Sequence, residues 1–290
     1  MARTVAEAEE MLDAAEQAGA RIFVNYANRG SPLDCATHYV IQQGLLGEVV
    51  YGESHLDDHI AVPTRLWGDR SRNWVAGSST AHFLLSHVVD FLRWVMAPAD
   101  VTEVFAITQR KVLTYTPDLY DAYLTFDSGA KFRVKAEWIK HMVGLVEFSL
   151  DFSGAEGSLR YKKLAGYAET EGWRANLSRE VDAQALLHHQ QTLAAQGVPV
   201  VALGQHQDPL ADVTEKRALR PRASLEATKV PQDGWRVVNS CVDAILEDTL
   251  TPSTWQTYGP LPTGIDGLKQ TQIVTAIERS AEDGRVVEVG

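Results

Sequence analysis

The chain has 290 residues, 27 basic and 38 acidic side chains, a formal net charge of -11 and 45% apolar residues, enough to bury one large or two smaller cores. The acidic balance, with no basic cluster, argues against nucleic acid or anionic membrane as the main partner, since both demand a basic face. Cys35 and Cys241 stand far apart without metal-ligand spacing, and neither a signal segment nor a run of about 18 apolar residues is visible; this implies reduced thiols, no zinc site and a cytoplasmic protein.

Thr4 and Glu7 form a T-x-x-E capping box, and Val5, Ala8, Met11, Leu12 and Ala15 then trace an apolar stripe that ends at Gly19. RIFVNY follows as a run of strand length, closed by Asn28-Arg29-Gly30-Ser31. One helix and one strand cannot close a core alone, so their partner layer is expected from elsewhere. Pro32 suits the first turn of a second helix, running to Gly44. EVVYGESHLDDH then reads as a strand whose alternation puts His55, Asp57 and His59 on one face; strand period alone often produces such triples and no fourth ligand is indicated, so no metal site is assigned. VPTRLWGDRSRNW, from Val62 to Trp74, reads as a loop whose arginines and tryptophans suit an anionic or polyhydroxy ligand, or equally a solvated surface.

The central helix follows the turn Gly77-Ser78-Ser79. Positions 83, 84, 88, 91, 92 and 95 recur at three- and four-residue steps, placing His87 in a buried helix with Asp90 as its neighbour. Such an imidazole is a usable proton donor or acceptor, or a core histidine satisfied by a carbonyl or by Asp90. Strand patterns then dominate: VTEVFAITQRKV, and DAYLTFDSGAKFRVKAEWI with Asp127-Ser128-Gly129 as a hairpin turn. VEFSLDF and SLRYK extend the series. The pattern weakens between Lys163 and Pro231; Leu186–Leu193 reads as helical, and the Pro/Arg-containing stretch after Asp208 reads as an excursion. GWRVVNSCVDAILED is an amphipathic helix through Trp235, Val238, Val242 and Ile245. GIDGLKQTQIVTAIERSAEDG is another, with Leu268, Ile273, Ala276 and Ile277 inward, before the short strand RVVEV. The expected class is α/β (α+β): a large, mainly antiparallel open sheet with helices on one face. No G-x-G-x-x-G, P-loop, G-x-S-x-G, H-E-x-x-H or C-x-x-C occurs.

The helix TVAEAEEMLDAAEQAG, the turn Asn28-Arg29, QQGLLGEVV, the His87/Asp90 pair, YDAYLTFDSGA and the closing phrases NSCVDAILEDTLTP and DGLKQTQIVTAIERSAEDGRVV resemble, in order, the glucose-fructose oxidoreductase / inositol dehydrogenase / rhizopine-catabolism (Gfo/Idh/MocA) family. The resemblance implies that residues 1–28 are the last helix and strand of a truncated Rossmann domain, and that 29–290 are the substrate and oligomerisation domain. It implies NAD or NADP for the complete protein, with none bound by this chain alone. The family's Glu-Lys-Pro motif would fall just before Met1. Where many members carry an aspartate four residues before the histidine, this chain has Phe83.

On this resemblance the chain is the larger part of an oxidoreductase acting on a sugar, cyclitol or related polyol. His87 is its acid/base or hydroxyl orienter; Tyr26 and Arg29 line the junction with the cofactor domain, and Trp74, Ser79 and Phe83 shape the substrate pocket. It implies a homo-oligomer through the open sheet and, where needed, a Rossmann domain supplied in trans. The alternative is a non-catalytic binding or assembly subunit built on the same sheet.

Overall fold

The computed structural model describes residues 2–164, 169–177, 182–206, 222–227 and 235–290; the stretch 208–221, read above as an excursion, lies outside them. Among the described residues ten strands form one sheet: β1 (Val49–His59), β2 (Val101–Gln109), β3 (Leu119–Phe126), β4 (Lys131–Lys140), β5 (Val146–Gly154), β6 (Ser158–Leu164), β7 (Glu169–Leu177), β8 (Val201–His206), β9 (Arg222–Ala227) and β10 (Val287–Glu288). Their order is β10-β2-β3-β4-β1-β5-β6-β7-β9-β8. Every pairing is antiparallel except β1 with β4. The hairpin at Asp127-Ser128-Gly129 forms as its sequence dictates, with Gly129 at φ 88°, a conformation that favours glycine.

Alternation divides each strand between two environments. On β4, Phe132, Val134, Ala136 and Trp138 are fully buried, while Lys131, Arg133, Lys135 and Glu137 line the other face. The buried face packs under α2 (Pro32–Gln42), α5 (Ser86–Met96) and α8 (Gly264–Asp283). Its aromatics meet edge to face, Phe132 with Phe152 at 5.7 Å and Phe91 with Phe148 at 6.3 Å. Burying each such ring contributes roughly 1.5–3 kcal/mol, so this layer is the main source of stability.

The first helix, α1 (Val5–Gln17), carries the expected capping box: Thr4 Oγ1 accepts from the Glu7 amide at 3.2 Å, and Glu7 Oε2 accepts from the Thr4 amide at 3.1 Å. Its partner within the chain is the start of α8. A Cβ on Gly264 would lie 2.6 Å from Leu12 Cδ2 and 3.1 Å from Ile22 Cβ, so glycine permits the close approach. Met11, expected in the buried stripe, is 42% exposed. RIFVNY does not become a strand. The Val24 amide bonds to the Pro262 carbonyl and the Ile22 carbonyl accepts from Gly264, leaving one bridge, Phe23 to Thr263, and no second neighbour among the described residues.

Two further expectations are corrected. Residues 62–74 are not a plain loop: α3 (Ala61–Thr64) and α4 (Arg70–Ala76) are short helices, and Ser71 Oγ accepts from the Trp67 amide between them. Helix α7 (Arg236–Leu246) forms, but it docks through Val237, Ser240 and Ala244, leaving Trp235, Val242 and Ile245 exposed. Val237 Cγ2 lies 2.9 Å from where a Cβ on Gly30 would be, and this small-residue contact fixes the helix's rotation against the apolar stripe. The helix from Ala183 to Ala195, α6, confirms the periodicity at 186–193. Among the described residues no helix is long and apolar enough to cross a membrane.

Candidate functional site

The central segment begins with a π-helical turn, Ala81–Leu85, which runs into α5. A π turn changes the rotation per residue, and such turns are frequent at functional sites. Phe83 and His87 project from successive turns of this segment. Phe83 packs edge-on to Trp74 at 4.7 Å and tilted against Trp138 at 5.9 Å; Trp74 also meets Trp67 at 5.1 Å. The cluster is graded: Trp67 and Trp74 are partly exposed, Phe83 half-buried, and Trp138 fully buried.

His87 is half-buried, and neither ring nitrogen has a hydrogen-bond partner among the described residues. This separates it from the core histidine satisfied by Asp90. Asp90 is taken by Arg29, whose Nε and Nη2 donate to its two carboxylate oxygens at 3.0 and 2.5 Å. Burial lowers the His87 pKa from its ordinary value near 6.5, and the positive charge of Lys163 pushes it the same way. A group that loses its proton more readily is neutral at pH 7, so His87 offers an unoccupied acceptor nitrogen.

The floor below comes from the sheet. Leu56 of β1 is in register with Phe148 of β5, and Phe148 with Lys163 of β6. Lys163 is buried; its Nζ donates to Asn28 Oδ1 at 3.2 Å and to Asp34 Oδ2, and lies 4.9 Å from the centre of the Phe148 ring. Tyr161 donates to the other Asp34 oxygen. Burial lowers the Lys163 pKa and raises that of Asp34, and the ion pair opposes both. Two residues along β1 from Leu56, the Asp58 side chain enters the same layer and accepts from Trp138 Nε1 at 3.2 Å. Asp58 is 4% exposed, and burial pushes its carboxyl up to about 7.

The other expected site residues fall elsewhere. Arg29 is 4% exposed and also donates to Asp266 Oδ1 at 2.9 Å, so its charge is fully engaged. Tyr26 is buried, donates to Gln270 Oε1 at 3.2 Å and lies 5.6 Å from the Arg29 guanidinium. Both serve an ion-pair network joining α5 to α8. Ser79 Oγ accepts from the His82 amide at 3.0 Å, fastening the turn that precedes the helix. Next to it, His82 Nδ1 stands 3.2 Å from Glu278 Oε1 while Nε2 reaches the Arg3 carbonyl at 2.9 Å, tying the start of α1 to the start of this segment. Trp74, Phe83 and His87 are therefore brought together, with Ser79 supporting their turn. His55, Asp57 and His59 do share a face, but it is the open one. Asp57 pairs with Lys135 and Lys140, His59 Nδ1 accepts from the Ala61 amide, and no group able to hold a metal occurs among the described residues.

Asp58, Trp138 and Lys163 were not read from the sequence. Each occupies a strand position whose alternation points into the core. A charged residue at such a position was the available sign.

The two larger of the clefts given by the described residues lie away from this site. One of about 500 Å³ is on the open face around Glu53, His55 and Lys162. The other, about 480 Å³, is bounded by Arg29, His38, Trp94 and Tyr258, where His38 stacks on Trp94 at 4.3 Å and burial lowers its pKa to about 4.

The fold is thus an open sheet with helices on one face, and the site beneath those helices combines a neutral imidazole, an aromatic wall and buried charges of both signs. Residues 36–160 match the model of the GFO/IDH/MocA C-terminal domain, and the chain carries a domain of that family. No curated protein sequence matches the chain at a significant level. An oxidoreductase from Agrobacterium radiobacter in complex with NAD+, L-tartaric acid and magnesium superposes with a TM-score of 0.66 at 18% identity, over 100% of this chain and 71% of the other. An aldose-aldose oxidoreductase from Caulobacter crescentus complexed with glycerol gives 0.67 and 19%, over 99% and 70%. Levoglucosan dehydrogenase in complex with NADH and L-sorbose gives 0.69 and 18%, over 100% and 71%. At these identities the likeness is one of fold.

Proposed function

We propose that this chain is the substrate-holding part of an NAD(P)-dependent oxidoreductase acting on a sugar, cyclitol or related polyol, with His87 as its acid/base. One observation carries the reading: a half-buried, neutral imidazole with both nitrogens unengaged among the described residues, one turn from an aromatic wall. Aromatic faces suit the C–H surfaces of a sugar, and a neutral imidazole suits its hydroxyl. In oxidation, His87 takes the hydroxyl proton at a ring nitrogen; in reduction it returns that proton. Lys163, through its charge, favours the neutral form between turnovers.

A nicotinamide would supply the hydride chemistry, but the chain has no glycine-rich phosphate cradle, so its own residues do not fit the dinucleotide. In this reading a nucleotide-binding unit, within the complete protein or in trans, docks at the α1 end, where the Arg3 carbonyl meets His82 one turn before the site. The exposed Met11 is in keeping with such a cover. The open sheet face, with Phe105, Ile107 and Tyr123 exposed, is assigned to contacts between copies of the chain. The same apolar face also favours a second reading, a non-catalytic assembly subunit.

Tryptophan fluorescence separates the two, because Trp67, Trp74 and Trp138 line the site. Titration with L-sorbose, myo-inositol, glycerol and L-tartrate should give saturable quenching by at least one polyol, weakened in His87→Gln. An absence of response to all of them, with a stable dimer in light scattering, would favour the assembly subunit.

A further inference from the structure

Among the described residues Asp58 is a carboxyl beside the aromatic wall that the ion-pair networks leave alone. Its neighbour on the open face, Asp57, has Lys135 and Lys140. On the helix side, Asp34 has Lys163 and Asp90 has Arg29. Asp58 has no cation within ion-pair distance among the described residues; its hydrogen bond is the one that Trp138 Nε1 gives to Oδ2. Oδ1 has no protein donor there and, unlike Asp57 Oδ1, is not wholly cut off from solvent, although the residue is 4% exposed.

A largely buried carboxyl with no cation and one oxygen left without a protein donor is less well served than a paired one, since such groups are ordinarily paired or fully hydrogen-bonded. Retaining it is reasonable where a ligand supplies the missing donor. Its surroundings restrict that ligand. Trp138 holds Asp58 on one side and packs against Phe83 and Trp74 on the other, so a row of rings in contact links exposed Trp67 to the carboxyl. A small molecule approaching along that row would meet apolar faces first and an acceptor last. A neutral polyhydroxy compound satisfies both, with its C–H face on the rings and a hydroxyl donating to the carboxylate. A carboxylate or phosphate would set like charge against Asp58.

We propose that Asp58 is the substrate-orienting carboxyl of this site, its Oδ1 accepting a hydrogen bond from a hydroxyl of a neutral polyol while Trp138 fixes Oδ2. The inference rests on the polyol reading above and adds the group that turns the substrate relative to His87. It also predicts discrimination: neutral polyols are taken and anionic sugar acids refused. Asn in place of Asp58 keeps an acceptor for Trp138 and removes the charge, so the substitution tests ligand orientation with little change in packing.

The test is the fluorescence titration with L-sorbose, myo-inositol and L-tartrate on wild-type chain, Asp58→Asn and Asp58→Glu, with thermal unfolding recorded for each. The expected result is polyol binding by wild type that exceeds tartrate binding, at least tenfold weaker polyol binding by Asp58→Asn, and an unfolding temperature for that variant no lower than wild type at pH 8. A merely structural carboxyl would lower the unfolding temperature and leave the ligand preference unchanged, which would overturn the proposal. Equal polyol binding by wild type and Asp58→Asn would overturn it while the proposed function stands. No polyol binding by wild type would overturn both. Should Asp58→Asn fail to fold, Asp58→Glu decides: an altered ranking of the ligands supports the proposal, and an unaltered one overturns it.

Discussion

Replacing Asp58 by Asn should make the protein more resistant to unfolding in a pH-dependent way. In the unfolded chain this carboxyl ionises near 3.8; in the fold, burial pushes it up to about 7. The folded state therefore binds the proton more tightly than the unfolded state. Its contribution is at its most favourable below pH ~4, and it is lost as pH rises through about 7. The interval is ~3 pH units, each worth ~1.4 kcal/mol, so ionised Asp58 costs ~4 kcal/mol above pH 7. The variant has no such titration. Urea unfolding of both proteins across the range should give curves whose difference is flat below pH ~4, opens toward pH 7 by several kcal/mol in favour of the variant, and is flat again beyond. The amide's own unmet donors add an offset that does not vary with pH, so the slope carries the test. A difference that stays constant with pH, or that opens in favour of wild type, would refute the buried, unpaired state of Asp58.

Arg29→Ala leaves Asp90 buried without its bidentate partner and Asp266 with one bond fewer; breaking such a pair costs about 3–5 kcal/mol, measurable by chemical denaturation. Arg29→Lys should recover only part of that loss, because an ammonium cannot reproduce the two-pronged contact. Trp74→Ala, at a residue 37% exposed, should cost less than ~1 kcal/mol in stability yet weaken polyol binding about tenfold, as read by calorimetry. His82→Ala removes the contacts to Glu278 and to the Arg3 carbonyl, so amide exchange in α1 should quicken while exchange in the β1–β4 core stays slow.

The fold was largely legible in the sequence because alternation and helical spacing report burial directly. The capping box at Thr4, the hairpin at Asp127, the stripe of the central helix and the antiparallel sheet all follow local rules. Departures arise where a distant partner decides. RIFVNY has strand composition, but its one distant backbone neighbour among the described residues lies at 262–264. Helix α7 has an apolar stripe, yet Gly30 offers a close contact to its opposite side. In the site, His87, Trp74 and Phe83 share one short stretch of chain and could be singled out locally. The pairing of Arg29 with Asp90, 61 residues apart, could not. The strand reading of β1 grouped His55, Asp57 and His59 because they share a face. It passed over Asp58 on the opposite face, where a carboxylate among core residues was the anomaly.

A crystal of the chain soaked in L-sorbose tests the central claim most directly. The predicted result is one sugar beneath α5, its hydroxyls within hydrogen-bond reach of Asp58 Oδ1 and a His87 nitrogen, and its carbon skeleton against Trp74 and Phe83. A sugar seated instead in the open-face cleft of Glu53 and His55, or in the cleft of Arg29 and Tyr258, would contradict the assignment of this site.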